Sequence, residues 1–127
     1  MGKKILVVDD EQPILDLLGE AFTHAGYQVI STDSPEKALE ILGREKIPVM
    51  FLDLNLPGMN GLELCRRIRA VNPMAQIFAF TGFVSLFELA DCREAGFDDY
   101  FTKPVKLAVL LKAAKDAFER LERWRGR

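Results

Sequence analysis

Five short runs rich in β-branched and aromatic residues, "KILVVD", "YQVIS", "VMFLD", "QIFAF" and "DYFT", recur along the chain, each separated from the next by a segment of helical period. This alternation constrains the fold more than any other feature. Strands joined through helices run parallel, because a parallel pair needs a long crossover, and right-handed crossovers place helices on both faces of the sheet. A sheet covered on both faces has no wet side, which explains why the runs are almost continuously apolar rather than alternating. The expected fold class is therefore α/β, a three-layer α/β/α sandwich of five β-α units around a parallel sheet. At 127 residues the chain has room for one such domain.

The intervening segments carry their own signals. In the first, Ile14, Leu17, Leu18, Ala21 and Ala25 form an apolar stripe that Gly26 ends. Ser34, Pro35 and Glu36 read as an N-cap, a first-turn proline and a dipole-matched acid opening the second helix. Gly61, Leu64, Cys65 and Ile68 share a face of the third, and Leu107, Leu110, Leu111, Ala114, Phe118 and Leu121 mark a long last helix. His24, at the end of the first helix, reads as a dipole-matched surface residue.

In open α/β sheets the ligand crevice lies at the carboxyl ends of the strands, and the isolated polar residues fall there. Asp9 and Asp10 end the first strand, Asp53 the third and Thr81 the fourth, while Lys103 ends the fifth just before Pro104. Each has a bland reading as cap, turn former or surface charge, but four bland readings would all have to hold while every residue falls on one sheet edge. Three carboxylates and one ammonium leave a charge that is costly in a partly buried crevice without a counter-ion. A divalent cation balances it, and hard oxygen donors with few protein ligands favour Mg²⁺. Such a cation would neutralise an incoming phosphoryl group, Lys103 and Thr81 could contact its other oxygens, and Asp53 is then a plausible nucleophile.

Composition narrows the alternatives. With 17 basic and 19 acidic residues interspersed and a net charge of -2, no footprint for nucleic acid or anionic lipid stands out. The most apolar stretch, "IFAFTGFVSLF", is 11 residues long and broken by Thr, Gly and Ser, too short to span a bilayer. "MGKKILVVDDE" lacks the apolar core of a signal peptide, so the expected location is cytoplasmic. Cys65 and Cys92 lack metal or CxxC spacing and read as reduced thiols.

The set "VVDDE", "FLDLNLPGMNG", "FTG" and "YFTKP", in this order, resembles the receiver domain of bacterial two-component response regulators, of the chemotaxis-receiver type. The resemblance implies a flavodoxin-like (βα)5 fold with strand order 2-1-3-4-5, a receiver over residues 1–123 and a basic tail over 124–127. It implies that Asp53 is the phosphoacceptor, taking a phosphoryl group from a histidine kinase or phosphotransfer protein. It further implies Asp10 as a direct Mg²⁺ ligand, Asp9 as its water-mediated partner, Asn55 as a ligand through its backbone carbonyl, and Thr81 and Lys103 as contacts to the phosphoryl oxygens. Asn55 and Phe83 would flank the path of the hydrolytic water and set the phosphoryl lifetime. Thr81 and Tyr100 would form a coupled switch, rearranging the face built by the fourth helix, fifth strand and fifth helix to control a partner or output domain.

Two features depart from the family pattern: "KPV" stands where "KPF" is common, and "KLAVLLKAAKDAFERLERW" lacks the charge pattern of receivers that dimerise through their last helices. A monomer or a weak phosphorylation-dependent dimer is therefore expected, either stand-alone or cut from a longer chain. Competing readings fit less well. Haloacid-dehalogenase-like phosphatases also form an aspartyl-phosphate, but they place a second Asp two positions after the nucleophile, where this chain has Asn55, which cannot move a proton. A flavodoxin-like cofactor module needs a phosphate-cradling loop after the first strand, and "DDEQP" would repel a phosphate. The chain reads as a signalling switch whose chemistry is on itself, not as an enzyme acting on an external substrate.

Overall fold

The computed structural model describes residues 2–82, 86–104 and 106–125, with backbone only at 86 and 87. Ten elements alternate without exception: β1 (Lys4–Val8), α1 (Gln12–His24), β2 (Gln28–Thr32), α2 (Pro35–Arg44), β3 (Val49–Asp53), α3 (Gly61–Val71), β4 (Gln76–Thr81), α4 (Leu86–Ala95), β5 (Asp99–Thr102) and α5 (Leu107–Arg125). All four strand pairings are parallel, and the order across the sheet is β2-β1-β3-β4-β5, the flavodoxin-like arrangement.

Strand alternation splits the core in two. Leu6, Val8, Met50, Leu52, Ile77 and Ala79 face α2, α3 and α4. Ile5, Val7, Val49, Phe51, Phe78 and Phe80 face α1 and α5, where Phe22, Phe51 and Phe78 form a continuous stack with centroids 5.2 and 5.1 Å apart. β3 is buried along its whole length, as a central strand covered on both faces must be.

Local signals set the helix ends. The Ser34 hydroxyl accepts the Lys37 N–H and the Asn60 carbonyl accepts the Glu63 N–H, each satisfying a donor that the first helical turn leaves open. Gly26, at φ 99°, stops α1 in a backbone region that side chains disfavour. The stripe expected on α1 is rotated from the observed one. Leu15, Leu18 and Phe22 are the buried residues, whereas Leu17 is 40% exposed and Ala25 lies at the surface. The large Phe22 ring, which the expected stripe omitted, sets the rotation by stacking on Phe51.

Two devices hold the loops near the strand ends. Arg69 on α3 donates to the carbonyls of Gly96, Pro73 and Ala75 and pairs with Asp98 at 3.1 Å, tying the end of α4 to the start of β4. Gly61 opens α3 so close to β3 that a Cβ there would lie 2.8 Å from Leu54 Cα and against the Asp53 carbonyl. Gly61→Ala is accordingly expected to cost about 1–3 kcal/mol, the range for overpacking against atoms that cannot move aside. Urea unfolding checks this, and an unchanged midpoint would contradict it.

Candidate functional site

The carboxyl ends of β1, β3, β4 and the residue after β5 converge. Asp9 is fully buried and Asp53 is 3% exposed, while Asp10 lies at the surface beside them. Each of the three offers a carboxylate oxygen within 4.8 Å of the others. One oxygen of each buried carboxylate is held by its own chain: Asp9 Oδ1 accepts the Glu11 N–H at 2.7 Å, and Asp53 Oδ1 accepts the Asn55 N–H at 3.1 Å. These short Asx-type contacts turn the second oxygens inward.

Lys103 meets them. Its ammonium lies 3.1 Å from Asp9 Oδ2, 3.5 Å from Asp53 Oδ2 and 3.9 Å from Glu11 Oε2, and it sits over the Phe80 ring at 5.3 Å from the centroid. The Lys103 N–H donates to the Thr81 carbonyl at 2.7 Å, so β5 leads the side chain into the pocket. Thr81 is fully buried, and the Asn55 amide donates to its hydroxyl at 3.3 Å.

The electrostatics follow from burial against pairing. Burial pushes the Asp9 and Asp53 carboxyls above their ordinary value, against the pull of the Glu11 and Asn55 N–H groups and of Lys103. Burial works against the charge of Lys103 as well, but the facing Asp9 and Asp53 carboxylates prevail and hold its pKa above the ordinary lysine value. The Lys103 ammonium, 3.1 Å away, is the one cation facing the buried Asp9 Oδ2 among the described residues, and it is shared with Asp53 and Glu11. A buried, acceptor-only oxygen beside two further carboxylates fits a hard divalent cation such as Mg²⁺.

Every expected pocket residue within the described chain is therefore brought together: Asp9, Asp10, Asp53, Asn55, Thr81 and Lys103. Tyr100 stands apart from the pocket, pairing with Ala79 on the sheet face that also carries Thr81, and is 38% exposed. Phe83 lies outside the described residues, as do the side chains of Leu86 and Phe87. Sequence reasoning missed Glu11 and Phe80 as neighbours of Lys103, and the Asn55 amide as a partner of Thr81. Glu11 was visible in "VVDDE" as an acid ahead of a helix, but the other two contacts depend on the register between neighbouring strands.

Comparison with known proteins decides the family. Residues 5–115 match the response regulator receiver domain family. The chain belongs to that family. It is similar to the virulence sensor protein BvgS of Bordetella bronchiseptica, with 36% identity over 92% of the chain, which spans 10% of that sensor's length. It is also similar to sporulation initiation phosphotransferase F of Bacillus subtilis, at 31% identity over 91% of the chain and 93% of that protein. The crystal structure of a CheY-like receiver domain protein from Methanospirillum hungatei superposes with a TM-score of 0.93 at 30% identity, covering 97% of this chain and 98% of that one. The receiver identity makes the acidic triad Asp9, Asp10 and Asp53 part of a phosphoacceptor switch of two-component signalling, and it implies a phosphodonor kinase or phosphotransfer protein. No helix is long and apolar enough to cross a membrane among the described residues.

The raised pKa of Asp53 has a consequence for stability. Its ionisation costs more in the folded chain than in the unfolded one, a cost absent below the ordinary value of 3.8 and growing as pH rises through the raised value. Without divalent cations, Asp53→Asn is therefore expected to unfold at a higher temperature than the parent chain at pH 7, with the difference shrinking as the pH approaches 4. Thermal melts in EDTA across that range check it. A variant less stable than the parent at pH 7 would contradict it.

Proposed function

We propose that Asp53 is the phosphoacceptor of this receiver, accepting a phosphoryl group from a histidine kinase or phosphotransfer protein in a Mg²⁺-dependent reaction. An Asp53 carboxylate oxygen attacks phosphorus, an O–P bond forms, and the P–N bond of the donor's phosphoimidazole breaks with its electron pair passing to the ring nitrogen. The observation that carries this reading is the Asp53 carboxylate itself, with one oxygen fixed by the Asn55 N–H and the other 3.5 Å from the Lys103 ammonium. That arrangement presents a held, ionisable nucleophile to a cation able to meet the charge of an incoming phosphoryl group.

Asp9, Asp10, Asp53 and the Asn55 backbone carbonyl would hold Mg²⁺, which supplies charge neutralisation at the phosphoryl oxygens when bound. Lys103 binds a phosphoryl oxygen with its ammonium, and Thr81 offers its hydroxyl to another. Asn55 cannot act as a base, so water that reaches the acyl phosphate finds no proton acceptor there, and Phe83 is the second residue assigned to that path. The chemistry stays on the chain's own side chain, with autodephosphorylation as the return step.

The output reading rests on Thr81. Its hydroxyl is engaged by Asn55, and a phosphoryl group on Asp53 competes for it. In this reading Thr81 moves toward that group, and Tyr100, on the same sheet face and 38% exposed, turns inward in response. A rearranged face of α4, β5 and α5 then controls a partner, an output domain or a weak phosphorylation-dependent dimer.

Acetyl phosphate with Mg²⁺ is expected to add one phosphate to the chain in intact-mass spectrometry. The Asp53→Asn variant is expected to remain unlabelled, and EDTA to reduce labelling of the parent at least tenfold, equivalent to about 1.4 kcal/mol of barrier. Equal labelling of the variant, or labelling indifferent to EDTA, would contradict the assignment.

A further inference from the structure

The end of the molecule opposite Asp53 carries a surface that the phosphoryl chemistry does not use. A groove of about 610 Å³ between α2 and α3 and a second of about 260 Å³ between the start of β3, the start of β4 and α5 share Lys46 and Asn72 as lining residues, and so form one trough across the amino ends of the strands. Its apolar surface is unusually open: Val71 is 82% exposed, Met74 54% and Trp124 66%. Large apolar side chains scattered singly are ordinary, but three along one trough mark a contact surface, and aromatic residues dominate the energetics of such surfaces.

The last turns of α5, which runs to Arg125, supply Leu121, Trp124 and Arg125 to one wall. Charge is distributed unevenly around it. Arg44, Lys46 and Arg125 line it, none of them in an ion pair with a described residue, while Glu45, the one acid among the lining residues, is engaged by Lys4 at 3.1 Å. A chain of net charge -2 thus presents three cations beside exposed apolar side chains along this trough.

We infer that this trough docks an acidic amphipathic helix of a partner protein, with the helix's apolar stripe on Val71, Met74 and Trp124 and its carboxylates against Arg44, Lys46 and Arg125. A helix fits better than an extended peptide, because the trough crosses the strand ends and offers no sheet edge on which a strand could pair. Cations so placed reject basic partners and speed the approach of acidic ones, so the charge sets selectivity while the apolar side chains set affinity. The surface is distant from Asp53, which lets the receiver be held by one partner while another reads or loads the pocket.

Trp124 is the single tryptophan of the chain and reports on its own surface. The full chain is titrated with an 18-residue helical peptide bearing leucines along one face and glutamates on the other, while Trp124 emission is followed. A saturable blue shift is expected. A peptide with lysine in place of glutamate, and one of the same composition with the leucines dispersed around the helix, are both expected to fail. The double variant Arg44→Glu with Lys46→Glu is expected to weaken binding at least tenfold, and Met74→Glu to abolish it, both with acetyl-phosphate labelling unchanged. Four results would each overturn the inference: no shift with the acidic helix, an equal shift with either control peptide, a shift that follows protein concentration alone and so reports a second copy, or a shift produced only by anionic phospholipid vesicles.

Discussion

The contact of the Lys103 ammonium with Asp9 and Asp53, at 3.1 and 3.5 Å, is the interaction on which the rest of the site depends. Two carboxylates that burial disfavours as anions are kept side by side by one cation that burial also disfavours, and none of the three is comfortable without the others. The balance is incomplete, since Asp10 adds a third negative charge nearby and the one ammonium is shared between Asp9 and Asp53. An electrostatic deficit of this kind is what a divalent cation and a phosphoryl group resolve together, and it explains how a small pocket with few contacts can respond strongly to a change of charge.

The fold serves that contact at several removes. Parallel strands deliver four chain ends to one edge, and the crossover helices keep the sheet dry, so the site has a rigid apolar base. Gly61 lets α3 start against the Asp53 backbone, and the Arg69 contacts to Gly96, Ala75 and Asp98 anchor the end of α4. What remains adjustable lies between these fixed points: the Asn55 contact to Thr81, and the exposed Tyr100 on the same face of the sheet. In the proposed switch a bond made at Asp53 is felt through Thr81 because the surrounding core cannot deform continuously.

Much of this was legible from the residues. Strand runs of continuous apolarity give a parallel sheet, and polar residues that interrupt them at their carboxyl ends give the pocket, because a lone Asp or Thr there has no packing reason to be present. Ser34 and Gly26 mark helix ends through chemistry confined to a few neighbouring atoms, and the structure has both where expected. The stripe of α1 was misjudged because Leu17 and Phe22 are both strongly apolar, and the stacking of Phe22 on Phe51, on the sheet face that α1 covers, decides which is buried. The Phe80 ring beneath Lys103 and the Asn55 amide on Thr81 are contacts between separate strands whose stagger no local pattern encodes.

The central claim is that a charge change at Asp53 alters the face around Tyr100, and amide hydrogen exchange with and without beryllofluoride and Mg²⁺ tests it most directly. The account predicts altered exchange in residues 83–90 and around Tyr100 as well as in the Asp53 pocket, with none of these changes in the Asp53→Asn variant. Changes confined to the pocket, with residues 83–90 and Tyr100 unaffected, would contradict it.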